Sequence, residues 1–133
     1  MEEQIAQFRF TKYKILKSNI EIKNEQNISE KLKVNFNILQ TKDMEENKFR
    51  LSLNIHINDE NEEMNIDVNS EGYFEFESGL NQEYLKIFFN SSAPAILFPY
   101  IRAYITTLTS LSGVKPIILP TLNLTNREKA NKD

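Results

Sequence analysis

The 133-residue chain has no cysteine, no tryptophan, three glycines and a single histidine. Without cysteine there is neither a disulfide nor a thiolate metal site. Three glycines in all leave no phosphate-cradling loop. The lone histidine, His56, stands between Ile55 and Ile57. A catalytic histidine needs a positioned partner, and no serine-nucleophile signature of the G-x-S-x-G kind is present. The acidic run at 59–63, "DENEE", lacks the ligand spacing and the glycine of a calcium loop. We therefore expect no catalytic residue, no metal and no cofactor. No apolar run approaches the ~20 residues that a membrane span needs. The N-terminus "MEEQIAQFRF" is acidic and too polar for a secretory h-region. Sixteen basic against nineteen acidic side chains give a net charge of −3, which argues against nucleic acid as a partner. The expectation is a soluble, cytoplasmic, single-domain protein without enzymatic chemistry, with a core at about 8–124 and a polar tail at 125–133.

What is present is alternation. "KLKVNFNIL" puts Leu32, Val34, Phe36 and Ile38 on one face. "FRLSLNIHI" does the same with Phe49, Leu51, Leu53, Ile55 and Ile57, and "MNIDVNSEGYFEFE" with Met64, Ile66, Val68, Phe74 and Phe76. A period of two means strands with one buried and one wet side, the pattern of an antiparallel sheet. Lys33, Asn35, Arg50, Asn54, His56, Asn65, Asp67 and Asn69 then fall on the wet side. The first strand, "FRFTKYKILKSNIEI", changes apolar phase twice, which suggests bulges or a strand that bends across the sheet. "KNEQNIS" crosses to the second strand.

After Gly79 the period changes to that of helices. "NQEYLKIFF" reads as a short helix capped by Asn81. A longer one follows to Gly113, with Ser92 as its expected N-cap and Gly113 just past its end. Pro99 lies inside it, at a cost of about 3 kcal/mol. Leu97, Ile101, Tyr104, Ile105, Leu108 and Leu111 recur at three and four, and Ile96, Phe98, Tyr100 and Ala103 widen the apolar surface beyond one stripe. A helix apolar on nearly every side must be buried on every side. One sheet covers one side, so a second copy of the chain is expected on the other, with Tyr104, Ile105 and Leu108 near the helix–helix contact. The fold class is α+β: a four-stranded antiparallel sheet with one long C-terminal helix on one face. The closing run Ile117, Ile118, Leu119, Leu122, Leu124 has two readings. It caps the edge of the core, or it walls an apolar groove together with the crossover near Ile22 and Ile28.

"ILFPYIRAYITTL", then a glycine, a proline and "LPTLNL", resembles the SecB export-chaperone family. Leu97, Phe98, Pro99, Tyr100 and Arg102 match its L-F-P-Y-x-R motif, and Leu122, Asn123 and Leu124 stand at its V-N-F-like tripeptide. The likeness runs from about Phe8 to Leu124. It implies a homotetramer, a dimer of dimers, with the long helices sandwiched between sheets. It also implies ATP-independent binding of unfolded preproteins in an apolar groove (Ile22, Ile28, Leu119, Leu122, Leu124) and their transfer to the SecA translocation motor. SecA would meet the acidic outer face of the sheets, at Glu21 and Asp67 here. Another family acid is replaced near Lys17. The crossover lacks the family's groove aromatics, and the final helix is reduced to a polar stub at Arg127 to Asp133. The alternative that the resemblance allows is an interaction module with a narrow client, such as an antitoxin or one phage or host protein.

Overall fold

The first strand shows how the sequence solves its own irregularity. In the computed structural model, which describes residues 7–121, β1 (Phe8–Ile22) pairs antiparallel with β4 (Met64–Phe76). The register shifts between Phe10 and Lys12 and again between Ile15 and Lys17. Thr11 and Leu16 are the residues passed over. Each bulge resets the two-residue phase, so Phe8, Phe10, Ile15 and Ile20 all pack against the core. The two expected phase slips are these two bulges.

β2 (Leu32–Asp43) and β3 (Lys48–Asp59) complete one sheet in the order β1-β4-β3-β2, antiparallel throughout. β1 and β2 are consecutive in sequence yet lie at opposite edges. The segment 23–31 therefore crosses the end of the sheet, a width of three strand spacings or roughly 14 Å. Leu51, Ile55, Ile57, Ile66 and Val68 turn to one face and are fully buried or nearly so.

The helical part covers that face. Asn81 caps α1 (Gln82–Ile87): its side-chain oxygen accepts the Tyr84 N–H at 2.8 Å. Ser92, expected to cap the next helix, does not. It has helical backbone angles and makes no side-chain cap bond. Phe88–Ser92 forms a π-helical turn that runs straight into α2 (Ala93–Leu111). The reason is visible at Pro94, which has no N–H to give to Asn90. The Ala93 N–H reaches back five residues to the Phe88 carbonyl, which frees the Phe89 carbonyl. Gln40 of β2 fills that gap, donating its amide N–H to Phe89 O at 3.0 Å and to Asn90 Oδ1 at 2.9 Å. Pro99 lies on the exposed side of α2, as does Ala95, whose carbonyl loses its usual donor there. The helix ends in a Schellman motif: Val114 N–H donates to Thr109 O and Gly113 N–H to Ser110 O, with Gly113 at φ +88°.

Leu97, Phe98, Ile101 and Ile105 point into the sheet. Contact is closest at Gly72 of β4, where a β-carbon would lie 3.2 Å from Leu97. Ile105, expected at a helix–helix contact, is instead fully buried within the protomer. It has no surface to offer a second copy. Tyr104 and Leu108 are only partly buried.

Candidate functional site

Where β1 ends and β2 begins, the crossover and the segment after α2 face each other across a cleft of about 380 Å³. Ile28, Leu32, Met64, Val114 and Ile117 give it an apolar floor, Ile118 stands on its lip, and Glu25, Glu30 and Lys115 mark its rim. Lys115 lies 3.6 Å from Glu30, pairing one wall with the other at a fully solvated edge.

The wall after the helix is held by two threonines of α2. Thr106 Oγ1 donates to the Ile117 carbonyl at 2.7 Å, and Thr109 Oγ1 accepts the Ile117 N–H at 2.9 Å. Both backbone groups of Ile117 are thus bound to the helix, and the extended chain can alternate. Ile117 and Leu119 turn inward, while Ile118 is 71% exposed.

The opposite wall hangs on Asp59, the last residue of β3, which is fully buried. One carboxylate oxygen accepts the Glu63 and Met64 N–H groups at 2.8 and 2.9 Å; the other accepts Ser29 and Asn61 at 2.9 and 3.2 Å. Burial pushes the Asp59 pKa up, but the backbone N–H groups of Ser29, Met64, Glu63 and Asn61 together pull it below the ordinary carboxylate value.

The expected groove residues divide. Ile28 lines the cleft. Ile22 is 37% exposed and does not line it. Leu119 is 1% exposed and belongs to the core, while Ile117 and Ile118 of the same run line the cleft. Leu122 and Leu124 lie outside the described residues, as does the polar stub. Leu32, Met64 and Val114 were not expected here. Their signal was their position at the ends of strands and helix, not their type.

The outer face of the sheet carries the expected polar side chains, all exposed or partly so. Asp67 does not stand free: its Oδ1 lies 2.6 Å from His56 Nδ1 on the neighbouring strand, a hydrogen bond that the carboxylate accepts. Glu21 faces outward one row away, opposite Asn65. The pairing register puts seven basic side chains on this face (Arg9, Lys12, Lys14, Lys17, Lys33, Lys48, Arg50) against five acidic ones (Glu21, Asp43, Asp67, Glu71, Glu75). On a chain of net charge −3, this is a face of opposite sign. A second concavity of about 530 Å³ opens on it, around Lys12, Arg50 and Tyr73. Tyr73 donates its hydroxyl to Glu71 at 2.5 Å. That hydrogen bond, burial and the Glu71 charge raise its pKa against the smaller opposing pull of Arg50. Among the described residues no cluster of three or more His or carboxylate side chains could hold a metal ion. No helix there is long and apolar enough to cross a membrane.

The fold is shared with known proteins. A SecB-like chaperone of Mycobacterium tuberculosis, Rv1957, solved in complex with a ChAD peptide from the Rv1956 HigA1 antitoxin, superposes with a TM-score of 0.73 at 16% identity, covering 88% of each chain. A protein of unknown function from Streptococcus agalactiae gives 0.52 at 11% identity over 85% of this chain and 96% of the other. In sequence, the uncharacterized protein MJ0357 of Methanocaldococcus jannaschii is 31% identical over 103 residues, which is 71% of this chain and 65% of that protein. Residues 4–127, nearly the whole chain, match the model of the preprotein translocase subunit SecB, and the chain belongs to the SecB family.

Proposed function

We propose that this protein is an ATP-independent chaperone that holds an extended, unfolded segment of a client polypeptide in the cleft between the crossover and Val114–Ile118. The observation that carries this reading is the construction of the cleft. Its floor is apolar, and its walls are hydrogen-bonded to rigid elements, so apolar area is kept available without collapse. The antitoxin peptide bound to the similar mycobacterial chaperone supports a polypeptide occupant, and membership of the SecB family supports a binding rather than a catalytic role. Burial of apolar surface is worth about 25 cal/mol per Å², and a cleft of this size takes only a few side chains. One cleft binds weakly, and a long client that spans the clefts of several protomers gains by linkage.

The test is a titration of a fluorescent unfolded chain and of a ten-residue fragment of it. The long chain is expected to bind at least tenfold more tightly, with no change on adding ATP. Ile118→Asp should weaken binding of the long chain about tenfold or more, because it sets an unpaired charge at an apolar wall. Ile118 is solvent-exposed, so folding should be untouched. Equal affinity for the fragment, the long chain and the mutant would reject the cleft as the client site.

Of the two destinations open to such a client, the outer face favours the narrow one. Delivery to SecA calls for an acidic outer face, whereas this one carries more basic than acidic side chains and ties Asp67 to His56. We expect no salt-sensitive binding of SecA at micromolar concentration. A SecA complex that Asp67→Lys weakens, and that salt weakens in parallel, would restore the export role and place Asp67 in it.

A further inference from the structure

The acidic turn 59–63 is bonded to the crossover along its whole length. Lys23 N–H donates to the Glu63 carbonyl at 2.7 Å, Asn61 Nδ2 to the Asn27 carbonyl at 2.8 Å, and Glu60 N–H to the Lys31 carbonyl at 2.9 Å. Between these contacts the crossover meets the one buried charge of the region. The Ser29 N–H donates to Asp59, whose other oxygen holds Met64 at the start of β4. Ser29 and Met64 both line the cleft.

We infer that Asp59 is the positioning residue of the client cleft: its carboxylate fixes the crossover wall against the floor at Met64 and so sets the cleft's width. The inference rests on the cleft being the client site. Four N–H donors converge on this side chain, and only an ionised carboxylate offers acceptors on both oxygens. Asparagine has the same shape but turns an NH₂ group toward two of the donors. One pair of bonds is then lost, and a donor faces a donor in a dry site. Because the Ser29 bond is the long-range one, thirty residues away, it is the bond the chain can release with least change to the turn. The crossover then moves off the floor, the cleft loses its shape, and the sheet remains.

The experiment compares the full-length parent with Asp59→Asn and Ser29→Pro. The second variant leaves Asp59 in place and removes the Ser29 N–H, together with the hydroxyl that accepts the Lys31 N–H at 3.1 Å, and Ile28 before it already has the extended backbone, φ −67° and ψ 124°, that precedes proline. Amide hydrogen exchange is expected to quicken at least tenfold at Ile28 in both variants and at Ser29 itself in Asp59→Asn, with Leu53 to Ile57 unchanged. Affinity for fluorescein-labelled, reduced and alkylated lysozyme should fall at least tenfold at 10 °C, where both variants are folded. Parent-like exchange in the crossover of both variants would overturn the inference, whatever the client does. So would a loss of affinity in Asp59→Asn that vanishes at 10 °C, because that loss would report unfolding and not cleft shape. A parent that fails to bind the unfolded chain would remove the chaperone reading, while the exchange data would still decide what Asp59 holds.

Discussion

Ile105→Ala is expected to lower the free energy of unfolding by about 2–5 kcal/mol, the range for truncating a fully buried aliphatic side chain. Ile105 is completely buried on the sheet-facing side of α2, in the same cluster as Leu97 and Ile101. Its loss leaves a cavity under a helix that Gly72 already draws close to the sheet, so there is little slack for the neighbours to fill it. Denaturant unfolding at protein concentrations low enough to favour the protomer measures the effect. Tyr104→Ala and Leu108→Ala, one place before and three places after, should cost clearly less, because both are partly exposed. An Ile105→Ala protein with parent-like unfolding but altered mass would return Ile105 to an interface.

Ala103→Glu should have the opposite signature, leaving the protomer folded and breaking the assembly. The open side of α2 presents Ile96, Pro99, Tyr100, Ala103, Thr107 and Leu111 along ~23 Å of helix without one charged residue among them. Tyr100 extends the patch to the sheet edge by packing on Tyr13 of β1, ring centre to ring centre 5.0 Å. We propose that a second copy covers this surface and that two such dimers form a tetramer. Each isoleucine, leucine or tyrosine so covered contributes roughly 1.5–3 kcal/mol before the cost of association. A glutamate at the centre of the patch would have to be desolvated without a partner. Light scattering at micromolar concentration should find a tetramer for the parent and a species of lower mass for Ala103→Glu, with the same helical signal in both. A monomeric parent would reject the assembly.

The antiparallel sheet, its wet and dry faces, both bulges of β1, the Asn81 cap and the Gly113 stop were legible because each is a local matter. Strand phase, cap chemistry and a positive φ are set within a few residues. The π turn was not legible. A serine before Ala-Pro looks like a cap, but the chain stays helical through Ser92, with the Ala93 N–H on the Phe88 carbonyl and Gln40, from the edge strand β2, on the freed Phe89 carbonyl. The cleft was half legible. The closing run was recognisable as apolar, but an alternating run has two phases, and the hydroxyls of Thr106 and Thr109 decide that Ile118 faces out and Leu119 in.

By itself, then, the sequence determined which stretches would be strand and which helix, that no disulfide would form within the chain, and that α2 carries more apolar surface than one sheet can cover. The tertiary structure alone decided which side of α2 the sheet takes. A helix apolar all round has no preferred rotation, and it was the gap above Gly72 that admitted Leu97 and so turned Ile105 inward and Tyr104 aside. It also decided how the buried acid of "NDENEE" is held. Asp59 continues the inward phase of Ile55 and Ile57, as Glu60 and Glu62 do not; what the sequence does not show is how a buried carboxylate is satisfied there, by three N–H groups of its own turn and a fourth thirty residues distant, which only the folded chain brings in.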